Sequence, residues 1–177
     1  MRNIVVVPYD PEWPHRFEHE SEALVRAVGD LLLEVRHVGS TAVPGMPAKP
    51  VIDILLVVRD LARLDERSPA MRSLGYEPEG ALFVPDSRFL SKGPPDGRTH
   101  HLHAYPPGHP EIARHLDLCA YLAAHPPEAE RYARLKAELA KRHRDDLLAY
   151  SRGKTPLLAE LIARAGRWHS GPVVPGG

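Results

Sequence analysis

Residues 37–58 read HVGSTAVPGMPAKPVIDILLVV, and the two halves of that stretch demand different backbones. Val51 to Val58 is an almost unbroken apolar run rich in β-branched residues, the pattern of a strand buried on both faces. Ahead of it Pro44, Gly45, Pro47 and Pro50 exclude a long helix, because each proline lacks an N–H and fixes its φ. Further upstream Leu31 to Val38 reads as a strand that Gly39-Ser40-Thr41 punctuates. The stretch is therefore strand, turn, loop, strand, and its second strand belongs at the centre of a sheet.

One residue in the apolar run is out of keeping with its neighbours. Asp53 places a carboxylate in the buried strand, where it is costly unless a metal ion, an arginine or backbone donors meet it. The Gly39-Ser40 turn frees backbone N–H groups and a hydroxyl, the parts that cradle a phosphate, and glycine lets a bulky anion approach closely. Lys49, between Ala48 and Pro50, is a candidate phosphate contact at the entrance to the strand.

Working outward, Trp13 to Val28 carries Phe17, Leu24 and Val28 at helical spacing, after a short extended entry over residues 3–9. Asp60 is a candidate N-cap for a helix running to about Leu74, which Gly75 stops. A strand is expected over Ala81 to Leu90, and another from Arg98 to Tyr105 after the turn Lys92-Gly93-Pro94-Pro95-Asp96-Gly97. Arg88, Lys92 and Arg98 bracket that strand pair and are candidate donors to a triphosphate. On the later strand His101 and His103 share one face and His100 and Leu102 the other, so two imidazoles converge on Asp53 if the strands are neighbours. Two His and one carboxylate suit Zn, Mn, Fe or Ni better than Mg; the other reading is hydrogen bonding in a polar cleft, or anion contact by protonated rings. Residues 110–124, 127–149 and 154–166 then read as helices, and Ser170 to Gly177 as a disordered tail.

The string His37-Val38-Gly39-Ser40-Thr41-Ala42-Val43-Pro44-Gly45 followed by Lys49-Pro50-Val51-Ile52-Asp53-Ile54 resembles the signature of the GrpB family. The likeness extends to Trp13-Pro14, to Arg98-Thr99-His100-His101-Leu102-His103, to Tyr132 with Leu135-Lys136, and to Tyr150 with Lys154, over roughly residues 7–166. It implies an α/β (α+β) fold of the nucleotidyltransferase type, similar to DNA polymerase β: a small mixed β-sheet flanked by helices, with a C-terminal helical layer. The expected layout is one domain over residues 1–169, α/β to about residue 107 and helical from 108. It also implies nucleotide binding and transfer of a nucleoside monophosphate. Gly39, Ser40, Thr41, Lys49, Arg88, Lys92, Arg98, Lys136 and Lys154 would contact phosphate, and a divalent metal (Mg or Mn, or a transition metal) would lie on Asp53, His101 and His103. Such nucleotidyltransferases carry two acidic residues one position apart on this strand, and Leu55 stands at the second position here. The rival expectation is therefore a non-catalytic nucleotide- or anion-binding module, a folding partner or regulator like the related domains fused to dephospho-CoA kinase. Tyr132 and Tyr150 read as packing residues, and Cys119, where the family usually has an Arg-Asp pair at 119–120, as a small apolar residue on a helix.

Composition narrows the partners. Among 177 residues, 23 basic side chains balance 23 acidic ones, so no broad cationic field draws in nucleic acid. A single cysteine excludes an internal disulfide and fits a reducing compartment. No apolar run reaches a membrane span or a secretory core, so the expected location is cytoplasmic, and nothing in the sequence selects an oligomeric state.

Overall fold

The apolar run around Asp53 forms an inner strand, as its composition requires. In a computed structural model describing residues 4–81 and 84–169, the strands β1 (Leu32–Val38), β2 (Ile52–Val58), β3 (Tyr76–Pro78), β4 (Arg88–Lys92) and β5 (His100–Tyr105) form a mixed sheet. Their order is β1-β2-β5-β4-β3, with β2 and β5 parallel and the other neighbours antiparallel.

The period of two along β2 sorts its side chains into two cores. Ile52, Ile54, Leu56 and Val58, with Leu102 and Ala104 of β5, pack against Trp13, Leu24 and Val28 of the helix α1 (Glu12–Val28). Leu55 and Val57 pack on the opposite face with Val38, Tyr105 and, from the helix α4 (Pro110–Ala124), Ile112 and Leu116. Each such side chain contributes about 1.5–3 kcal/mol of burial, which is why a strand with both faces covered needs an apolar run and not an alternation. Asp53 belongs to the α4 face.

The expected helix from Asp60 to Leu74 forms with one interruption. Asp60 caps α2 (Leu61–Glu66), accepting from the N–H groups of Ala62 and Arg63 at 2.8 and 3.1 Å. The chain then breaks at Arg67 and restarts as α3 (Ser68–Ser73). Pro69 is the cause: it cannot continue the α2 ladder, but it is tolerated in the first turn of a new helix. The strand expected over Ala81 to Leu90 is corrected more heavily. The described residues place β4 at Arg88–Lys92, after Gly80 and Asp86 turn the chain with positive φ of 77° and 50°, and put a short β3 before it. Residues 82 and 83 lie outside the described residues.

The helical layer ends with α5 (Pro126–Arg142) and α6 (Leu147–His169). The expected helix over 127–149 stops at Arg142 and the one over 154–166 starts earlier, because Asp146 caps α6 by accepting from the Ala149 N–H at 2.9 Å. Gly153, expected as a breaker, lies inside α6, where a Cβ would meet Leu139 of α5 at 2.5 Å; it is a packing glycine. Val43 and Met46 from the proline-rich loop join Tyr121, Leu122 and Leu161, tying the loop to the helical layer. The entry segment bonds at Val7 to Ala48 and at Ile4 to the Arg144 carbonyl, 2.8 Å. Residue 3 and the tail from Ser170 lie outside the described residues. Among the described residues no helix is long and apolar enough to cross a membrane.

Candidate functional site

Strand register brings the expected residues together. Val38 lies opposite Asp53 across the β1–β2 pair, and Asp53 opposite His101 across the parallel β2–β5 pair. The chain leaves β1 at Gly39 with φ 73° and ψ −170°, a conformation that disfavours any side chain. A Cβ there would also lie 2.5 Å from Asp53 Oδ2 and 2.9 Å from its Cβ, so the carboxylate occupies the space over the glycine. Ser40–Ala42 makes one 3₁₀ turn. Ser40 is half-buried at the edge of a cavity of about 360 Å³, whereas the Thr41 hydroxyl is taken: it donates to the Val51 carbonyl (3.4 Å) and meets His37 Nε2 (3.0 Å). Thr41 therefore pins the turn to the start of β2.

His101 Nδ1 and His103 Nε2 both approach Asp53 Oδ1, at 3.2 and 3.5 Å. Burial is the largest influence on the Asp53 carboxyl and opposes ionisation, but the hydrogen bonds and charges of the two imidazoles together hold it well below the usual carboxylate range. An ionised carboxylate only accepts, so the ring nitrogens facing it carry hydrogens and are donors. That pairing bears on the metal reading. Among the described residues no group of three His, Cys, Asp or Glu side chains is arranged to hold a metal ion. Leu55, fully buried, fills the place of a second carboxylate. The donor set expected from Asp53, His101 and His103 closes on itself and does not fit the expected divalent cation. His115 of α4 sits beside His103, ring centroids 5.0 Å apart, with Nε2 3.3 Å from the Tyr105 hydroxyl. Burial and the neighbouring His103 push its pKa down to about 4.

The roof of the cavity comes from α5 and α6, through the same pair of residues used twice. Tyr132 and Lys136, four apart on α5, and Tyr150 and Lys154, four apart on α6, each place an ammonium over a ring, at 4.9 and 4.7 Å from the centroid. Lys49 Nζ lies 5.7 Å from the Tyr150 centroid. Lys136 is 3% exposed and donates to the Pro47 carbonyl at 2.7 Å. Burial, then repulsion from Lys154, lowers its pKa to about 7 against the opposing pull of Asp53; burial and Lys49 lower that of Lys154 to about 8. Among the described residues no carboxylate lies within 4.0 Å of either ammonium. Lys136 is buried and Lys154 partly buried beside an open cavity, and a cation held away from water without a close carboxylate is costly.

The other arginine and lysine candidates are elsewhere. Arg88 lies opposite Ala104 and Lys92 opposite His100, so both point to the α1 face, away from Asp53. Arg88 makes a forked pair with Asp65 (2.7 Å), and Lys92 reaches both oxygens of buried Glu20 (2.8 and 2.9 Å). Arg98 borders a second cavity of about 650 Å³, where it bonds Glu79 (2.8 Å) and the Gly93 carbonyl. Position therefore does not support the expected phosphate role of Arg88 and Lys92, whereas Arg98 lies on a cavity that Lys49 and His101 also border. Tyr132 and Tyr150 are buried packing residues, as expected, and in addition line the cavity; the repeated Tyr-x-x-x-Lys spacing is the signal that would have found that second role. Cys119 contacts the Gly39 carbonyl at 3.7 Å, and burial pushes its thiol up to about 11, so it is an inert neighbour.

A Gly-Ser turn leading into an acid-bearing strand of a mixed sheet is the frame of the nucleotidyltransferase fold. The structure of Cid1 poly(U) polymerase with MgGTP bound matches it with TM-score 0.52 over 85% of this chain and 50% of that chain, at 16% identity. Residues 3–164 match the family described as GrpB protein, and the chain belongs to the GrpB family. The crystal structure of conserved protein GrpB from Enterococcus faecalis has TM-score 0.90 at 35% identity, covering 94% of this chain and all of that one, 100%. The UPF0157 protein YqkA of Bacillus subtilis is 37% identical over 96% of this chain, which spans 49% of that relative's length. A dephospho-CoA kinase of Mycolicibacterium paratuberculosis is 32% identical over 92% of this chain and 46% of its own length.

Proposed function

We propose that this chain binds a nucleoside triphosphate with its phosphates against Lys136, Lys154 and the Gly39-Ser40 turn, and transfers the nucleoside monophosphate to an acceptor. The observation that carries the reading is the pair of lysines, Lys136 buried and Lys154 partly buried, that face the same cavity as Asp53 with no carboxylate within 4.0 Å among the described residues. In the neutral tautomer that donates from Nδ1 to Asp53, the other ring nitrogen of His101 is a proton acceptor. His101 borders both cavities, so the acceptor enters from the second one. Its oxygen bonds to the α-phosphorus, the bond to the bridging oxygen breaks, pyrophosphate leaves, and the acceptor's proton passes to His101.

A second reading has its own support in Leu55 and in the likeness to dephospho-CoA kinases: a module that holds a nucleotide without turning it over and acts as a folding partner or regulator. The test is thermal unfolding with ATP, GTP, CTP and UTP, with and without Mg²⁺ or Mn²⁺, followed by an assay for pyrophosphate release. A ligand of the native state raises the melting temperature. A shift lost in Asp53→Asn and Lys154→Met with pyrophosphate released supports transfer; a shift without pyrophosphate supports the binding module; no shift with any nucleotide sinks both.

A further inference from the structure

In the nucleotide reading proposed above, something must neutralise a polyphosphate, and the two possible agents leave different marks on a site. A divalent cation needs carboxylate oxygens free to hold it. Here one oxygen of the strand's carboxylate, Oδ1, meets two imidazole nitrogens while the other lies over Gly39, the second position is a buried leucine, and the described residues assemble no three-ligand group. Ammonium groups need only face the anion, and two of them do so from separate helices, with Asp53 in the same cavity but no carboxylate within 4.0 Å of either among the described residues.

We infer that Lys136 and Lys154, joined by Lys49 at the cavity edge, take the place of divalent cations in this site, so that the polyphosphate binds as the metal-free anion. The geometry has the features that such a site requires. Lys136 is fixed by the Pro47 carbonyl and the Tyr132 ring, and Lys154 by the Tyr150 ring, so neither collapses onto a carboxylate. The aromatic faces supply part of the stabilisation of each charge and leave the N–H donors turned to the cavity without an internal acceptor beyond Pro47. The 3₁₀ turn after Gly39 lies on the same cavity, so oxygens held by the lysines also meet the turn.

The experiment is calorimetric titration of the full chain with ATP and with inorganic tripolyphosphate, first in EDTA and then with excess Mg²⁺. The expected result is binding of both anions in EDTA, no tighter with Mg²⁺, and weakened about tenfold or more by Lys154→Met, since a charge-assisted hydrogen bond is removed. Lys136 is buried and its variant can disturb folding, so Lys154→Met, judged against an unchanged far-ultraviolet spectrum, carries the mutational arm. Binding seen only with Mg²⁺ overturns the inference and leaves the nucleotide reading standing. Wild-type affinity in Lys154→Met overturns it as well. Absence of binding in both buffers overturns the inference and the nucleotide reading together.

Discussion

Gly39 and Asp53 exclude each other's freedom: the carboxylate lies where a side chain at position 39 would begin, 2.5 Å from the Cβ that glycine lacks. Gly39→Ala therefore meets both a positive φ of 73° and the Asp53 Cβ at 2.9 Å, which cannot swing away as a carboxylate tip can. We expect a loss of about 1–3 kcal/mol in a urea melt. Asp53→Ala in the same background should restore part of it; equal stabilities of Gly39→Ala and wild type would disprove the contact.

The lysine cluster makes the ligand-free protein gain stability as the solution becomes more basic. Lys136 at about 7 and Lys154 at about 8 lie below their unfolded values near 10.5, so between pH 7 and 10 the unfolded chain binds more protons and stability rises with pH. The groups that set these values are the two lysines themselves, Lys49 and Asp53; His37 and His115, lowered to about 4 from an unfolded value of 6.5, act in the same direction at the start of the window, and Cys119, raised to about 11 from 9.0, opposes the rise as pH passes 9. A bound polyphosphate favours the charged forms, so its affinity should fall as pH rises through 7 to 8. Urea melts at pH 7 and pH 9 check the first statement, and a flat or falling trend would count against it.

Lys92 belongs to a buried pair on the α1 face, and its removal should damage folding while sparing the cavity. Glu20 is buried within the apolar stripe of α1, and Lys92 reaches both of its oxygens. Lys92→Met leaves that carboxylate only His100 Nε2, 3.9 Å away, as an ion-pair partner, at a cost of about 3 kcal/mol, the low end for a broken buried pair because the lysine is partly exposed and the histidine remains. The double change Glu20→Leu, Lys92→Met should recover much of the loss. Anion binding by folded Lys92→Met that is tenfold weaker than wild type would return Lys92 to the site.

Replacing a helical glycine by alanine ordinarily stabilises by about 1 kcal/mol. Gly153→Ala should do the reverse, because its Cβ would lie 2.5 Å from Leu139 Cδ2 across the α5–α6 contact. A net loss of about 1–3 kcal/mol is expected, as for an overpacked core. Leu139→Val should cost less in the Gly153→Ala background than alone; a stabilised single variant would contradict the packing.

Much of this was legible in the residues because local chemistry settled it. The apolar run at 51–58 forms β2 within a residue, Asp60 caps where a capping residue is needed, and alternation alone puts His101 and His103 on one face. What escaped depends on long-range register. Beginning β4 at Arg88, after two turns with positive φ, turns Arg88 and Lys92 toward α1, and nothing in their neighbours states which residue they pair with. Lys136 and Lys154 stand on helices whose charge patterns look ordinary; their place on the cavity follows from how α5 and α6 settle over the sheet, although the spacing from Tyr132 and Tyr150 was on view throughout.

The cavity has its floor in the sheet at residues 39–103 and its roof in the helices at residues 132–154, with Gly153 setting how closely those helices approach. A polyphosphate seated there would act as a rivet between the sheet and the helical layer. Its binding would be felt as slowed amide exchange along α5 and α6, far beyond the atoms it touches, and its departure would loosen the helical layer while leaving the sheet intact.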